Sequence, residues 1–80
     1  ENADPDVVSD IINWLKSIVS ERFEYLHLEG NAPAHIKASL IGCSTLVIIK
    51  EGELMLGTWQ GIFFCEFDGP RSRKLWVNIL

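Results

Sequence analysis

The chain opens with a hydrophobic repeat of helical period. Val7, Val8, Ile11, Ile12, Leu15, Ile18 and Val19 recur at three- and four-residue spacing, and Asp6, Asp10, Lys16, Ser17 and Ser20 take the opposite side. Asp4-Pro5 supplies the start signal: an Asp to cap free N–H groups and a Pro suited to the first helical position. The pattern predicts an amphipathic helix to about Arg22, packed by one face, with Trp14 at the border of the apolar stripe. "FEYLHL" (Phe23 to Leu28) alternates weakly and predicts a strand that Gly30-Asn31 breaks. Pro33 opens a shorter helix with Ile36, Leu40 and Ile41 inward, closed by Gly42 in a left-handed cap.

From Ser44 the period changes. "TLVIIK" is apolar on both faces, and Glu51-Gly52 turns the chain. "ELMLGTWQGIFFCEF" follows, Asp68-Gly69-Pro70 turns again, and "KLWVNIL" completes a third strand. Strands that are apolar without interruption are covered on both sides. Two short helices cannot cover three of them, so the pattern implies further sheet, from another chain or from more of this one. The expectation is an α+β protein with antiparallel strands.

Composition narrows the class. Eighty residues make one small domain, and 48% hydrophobic content with three Trp and four Phe excludes a disordered segment. A net charge of −4 argues against a nucleic-acid or anionic-membrane surface, and the basic residues cluster only at Arg71, Arg73 and Lys74. No apolar run is long enough for a membrane span. With no signal peptide visible, the expected setting is cytoplasmic. Cys43 and Cys65 each sit in apolar context and read as reduced, buried small hydrophobes. The opening "ENADPD", without an initiator Met, suggests a piece of a longer protein.

The chemistry concentrates in "HLEGNAPAH", residues 27 to 35. Eight residues in a helix rise about 12 Å, and eight in a strand span about 26 Å. Only a chain reversal brings His27 and His35 to one metal, and Gly30-Asn31 followed by Pro33 suits one. The spacing leaves a joint site and two separate histidines both open. His35 also lies in the first turn of a helix, where free N–H groups attract anions. Glu29 and Glu66 are candidate acid/base groups with exposed carboxylates as the alternative. Arg71 and Arg73 flank a tight turn and could hold an anion or simply be solvated. In "GTWQG", Gly57 suggests a bulge or a close approach, and Gln60 a pocket or subunit boundary.

The residues then resemble a known family. "STLVIIKEGELMLGTWQGI" is similar to the signature of the YjbQ-like family, often labelled secondary thiamine-phosphate synthase. Ser44, Gly52, Gly57, Thr58, Trp59, Gln60 and Ile62 match it, "HLEGNAPAH" resembles its H-x-E-G-N-x-x-A-H stretch, and "ENADPDV" and "EFDGPRSR" resemble further segments. Ile48 departs from it, standing where many members carry Pro.

The resemblance covers essentially the whole chain. It implies a β-sandwich-like α+β fold of which residues 1–80 form the C-terminal part, without the N-terminal strands. It also implies a homotrimer with clefts near subunit boundaries.

For the site, the resemblance implies a polar cluster of Asn2, Asp4, His27, Glu29, Asn31 and His35, joined by a histidine from the missing part. His27, His35 and Glu29 would be catalytic, with Glu29 and Asn31 orienting the histidines. Asn31, Arg71 and Gln60 would contact a small phosphorylated substrate. His27, His35 and Asp4 would hold a divalent metal, Zn²⁺ or Mg²⁺. The family label implies joining a pyrimidine diphosphate to a thiazole phosphate with release of pyrophosphate. A non-catalytic metal- or anion-binding trimer, and a piece with no function of its own, stand as the alternatives.

Overall fold

The first helix, α1 (Pro5–Ile18), starts as its sequence dictates: Asp4 Oδ1 accepts from the Asp6 N–H at 2.8 Å, satisfying one of the free donors of the first turn. The computed structural model describes residues 4–80, so Asn2 and the rest of its motif before Asp4 lie outside the described residues. The helix stops four residues before the expected Arg22. Val19 turns extended, its N–H bonding back to the Leu15 carbonyl at 2.9 Å, and Ser20 Oγ takes the Arg22 N–H at 3.1 Å. A serine that bonds a backbone N–H two residues on offers the chain an alternative to another helical turn.

The second helix, α2 (Ala32–Ile41), has Pro33 in its first turn and ends at Gly42, whose φ of 86° suits glycine and whose N–H reaches the Ala38 carbonyl at 2.9 Å. Its buried face differs from the expected one. Ala32, Pro33 and Lys37 are buried, whereas Ile36, Leu40 and Ile41 stay exposed. The Lys37 ammonium meets Glu21 Oε1 at 2.7 Å, which allows a lysine to lie on the hidden side. Ile36 lines a shallow depression with Ile18, Val19, Phe23 and Tyr25. The expected strand over residues 23 to 28 is a series of bends instead. It is held by the Tyr25 hydroxyl donating to the Ser20 carbonyl and by tilted Phe23 and Tyr25 rings 5.2 Å apart.

The α+β expectation holds, with its antiparallel sheet reduced to β1 (Ile49–Lys50) and β2 (Glu53–Leu54), Ile49 opposite Leu54 and Lys50 opposite Glu53. Met55 N–H extends the pairing to the Ile48 carbonyl at 2.8 Å. Glu51 and Gly52 both have positive φ, 53° and 78°. That is the two-residue turn whose twist matches a hairpin. The remaining apolar segments carry no ladder among the described residues, and no second sheet layer forms.

The consequence is exposure. Among the described residues, Leu15, Val19 and Ala32 are the buried hydrophobic ones, while Phe63, Phe64, Trp76 and Val77 are among many large apolar side chains left exposed. Cys43 and Cys65, expected buried, are free and exposed, because each lies in an irregular segment outside β1 and β2. The accessible area is 7709 Å², against about 4,900 Å² for a compact monomer of this mass. The radius of gyration is 15.4 Å, against about 12 Å for a packed domain of this length. No helix among the described residues is long and apolar enough to cross a membrane.

The turn yields a direct test. Gly52→Ala forces a side chain into the left-handed region and should cost about 1 kcal/mol, whereas Glu51→Gly should be neutral or stabilising. Urea unfolding of the full-length protein measures both.

Candidate functional site

Asn31 stands at the cap position of α2, where Asn is among the best residues because its side chain can accept a first-turn N–H. Here the side chain makes no cap bond. Only the Asn31 backbone carbonyl serves the first turn, accepting from Ala34 at 3.1 Å and His35 at 3.3 Å. With those two donors occupied and Pro33 carrying none, the start of α2 is a poorer anion site than the sequence implies. The amide group turns outward from the helix. Its Oδ1 lies 2.8 Å from His27 Nε2, and its Nδ2 donates to Asp68 Oδ2 at 3.0 Å.

The chain reversal expected between the two histidines is therefore present. Residues 28 to 30 form a tight turn with Gly30 at φ 79°, and the His27 and His35 rings lie edge to face with centres 5.0 Å apart. Both residues are exposed. Glu29 Oε2 is 4.0 Å from His27 Nε2, too far for a hydrogen bond, on a side chain that is 77% exposed. Asp4 is engaged as the cap of α1. Among the described residues, no three His, Cys, Asp or Glu side chains form a group that could hold a metal ion.

The far wall of the site is the segment from Glu66 to Arg73. Asp68 Oδ2 also accepts from Arg71 Nη2 at 2.7 Å. Glu66 takes Arg73 as a fork, Nε on Oε1 at 2.5 Å and Nη2 on Oε2 at 2.9 Å, and accepts the Asp68 N–H at 2.9 Å. The bidentate geometry is the strong form of the carboxylate–guanidinium pair. The Arg73 hydrogen bond, then the Asp68 N–H, holds the Glu66 carboxyl at about 2, from an ordinary 4.5, and Glu66 raises Arg73 in return. Between this wall and α2 lies an open groove of about 310 Å³, bordered by Asn31, His35, Ala38, Phe64, Asp68 and Arg71.

Gln60 is placed elsewhere. Its Oε1 accepts the Gly57 N–H at 2.7 Å and its own N–H donates to the Gly57 carbonyl at 3.1 Å, so it closes the "GTWQ" turn. A Cβ on Gly57 would stand 3.2 Å from that Oε1, which gives the glycine its reason. Trp59 projects from the turn, 96% exposed.

The structure thus joins His27, His35, Asn31 and Arg71 and leaves Asp4, Glu29 and Gln60 outside the bonded network. It adds Asp68, which the sequence presents only as a turn residue. The available signal was the Arg three positions after it, a spacing at which side chains on a turn can pair.

The comparisons with known proteins agree with one another. Residues 1–80 match the family described as UPF0047 protein YjbQ-like. UPF0047 protein MJ1081 of Methanocaldococcus jannaschii is 59% identical over 80 residues, which is 100% of this chain and 58% of that protein. UPF0047 protein YugU of Bacillus subtilis is 48% identical over 81 residues, 100% of this chain and 61% of that protein. The crystal structure of an uncharacterized conserved protein of the yjbq/upf0047 family from Clostridium acetobutylicum superposes with a TM-score of 0.82 at 59% identity, covering 89% of this chain and 55% of that one. The chain spans about three fifths of the length of these curated relatives.

The low Glu66 carboxyl sets a pH expectation. A depressed carboxyl contributes stability that is present above about pH 4.5 and is lost as pH falls toward about 2. Thermal unfolding of the full-length protein should lose stability over that window more steeply than Glu66→Gln, which lacks the titrating group. Parallel curves would remove Glu66 from the account.

Proposed function

The chain belongs to the UPF0047 protein YjbQ-like family, and on that footing we propose that it supplies two imidazole ligands to a divalent metal site that binds a small phosphorylated molecule. The observation that carries this is the 5.0 Å separation of the His27 and His35 rings. Two imidazoles on one tetrahedral ion, with metal–nitrogen bonds of about 2.0–2.1 Å, have ring centres about 5.2 Å apart. The donors favour zinc over magnesium, because imidazole nitrogen suits Zn²⁺ whereas Mg²⁺ demands oxygen. The remaining coordination positions fall to water, to the bound molecule or to groups outside the described residues.

Arg71 lies across the groove from His35 and carries donors beyond the one engaged with Asp68. In the proposal it holds a phosphate of the bound molecule. A divalent ion at the histidines supplies charge neutralisation on phosphoryl or diphosphate oxygens. The family label sets the reaction to assay, thiamine-phosphate formation from a pyrimidine diphosphate and a thiazole phosphate with loss of pyrophosphate. The exposed apolar surface supports assembly into the homotrimer that the resemblance implies.

A second reading, metal and anion binding without turnover, is favoured by the state of the carboxylates. Glu66 and Asp68 are paired with arginines, and Glu29 is largely in solvent, so none is poised as a general base.

Elemental analysis of the untagged full-length protein, with His27→Ala and His35→Ala beside it, tests the metal. About one zinc per chain is expected, with each substitution lowering affinity more than about 100-fold. Metal that survives both changes contradicts the proposal. Incubating the two thiamine precursors with the metal-loaded protein separates the readings, because product supports the enzyme and binding without product supports the second.

A further inference from the structure

We propose that Asn31 is a positioning residue, fixed by Asp68 and Arg71, that holds His27 as the Nε2–H tautomer and so presents Nδ1 as its binding nitrogen. The inference deepens the reading above and rests on it only for what Nδ1 binds. A carboxylate oxygen can only accept, so the end of the Asn31 amide that faces Asp68 must be the NH₂ group. The other end, facing His27 at 2.8 Å, is then the oxygen, and an oxygen acceptor requires a proton on Nε2. In a neutral imidazole the lone pair is left on Nδ1.

Each member of the chain removes a freedom from the next. The Arg71 guanidinium sits 2.7 Å from the same Asp68 oxygen and fixes the carboxylate. The carboxylate sets the amide, and the amide sets the imidazole. Asn31 forgoes its cap bond to do this. A ligand histidine whose second nitrogen is held by an outer partner in this way is oriented in advance, and loss of such a partner typically lowers metal affinity 10–100-fold.

The test is the tautomer itself, read by long-range proton–nitrogen correlation of the histidine rings in ¹⁵N-labelled, metal-free, full-length protein in alkaline buffer. Wild type should show His27 as the Nε2–H form alone. Asp68→Asn keeps the shape but can donate as well as accept, so the amide is free to flip and both tautomers should appear. Asn31→Ala should release the ring in the same way, with backbone amide spectra reporting whether each variant keeps the fold. Zinc should then perturb Nδ1, with affinity 10–100-fold weaker in Asp68→Asn.

An Nδ1–H ring in wild type, a tautomer unchanged in both folded variants, or zinc perturbing Nε2 would overturn the assignment. A locked Nε2–H ring that zinc leaves untouched upholds the lock and overturns the metal reading alone.

Discussion

The bridge made by the Asn31 amide organises the site. It spans 37 residues of sequence between Asn31 and Asp68 and ties together three pieces: the turn carrying His27, the start of α2 and the segment from Glu66 to Arg73. The neutral bond to His27 contributes about 1 kcal/mol net and the bond to the Asp68 carboxylate about 1.5–3 kcal/mol, against about 1 kcal/mol for the cap bond given up. Within α2 the cap bond is lost, and both replacement bonds run to residues outside the helix. The return of this exchange is positional, since it places His27 against His35 and gives the groove its second wall.

Ion pairs and hydrogen bonds hold that wall in place. Glu66 and Arg73 form a fork, the Asp68 backbone is tied to Glu66, and the Asp68 carboxylate is shared between Arg71 and Asn31. Interlocked carboxylates and guanidiniums define geometry without requiring a thick core beneath them. This matters in a chain whose buried hydrophobic residues are Leu15, Val19 and Ala32. Large apolar side chains are exposed elsewhere, over β1, β2 and the segments after them.

The helices were legible in the sequence because their signals are local. Asp4-Pro5 starts α1, and Gly42 ends α2 with nothing required from elsewhere in the chain. The strands were legible as patterns and not as elements. A strand exists only against a partner, and among the described residues only the segment around Glu51-Gly52 brings its own. The inward face of α2 was misread for a related reason. Periodicity names Ile36, Leu40 and Ile41, but the pairing of Lys37 with Glu21 rotates the hidden side. In the site, the nine residues from His27 to His35 announced a chain reversal correctly. Asp68 was hidden inside a turn motif, and the true occupation of Asn31 depended on a contact no local pattern encodes.

If Asn31 and Asp68 act as one unit, a double-mutant cycle will show it as a coupling energy. Full-length wild type, Asn31→Ala, Asp68→Ala and the double variant would be compared by urea unfolding. A coupling energy of about 1.5–3 kcal/mol is expected, the double variant costing less than the sum of the singles. Strict additivity would mean that the bridge carries no free energy and does not hold the site together.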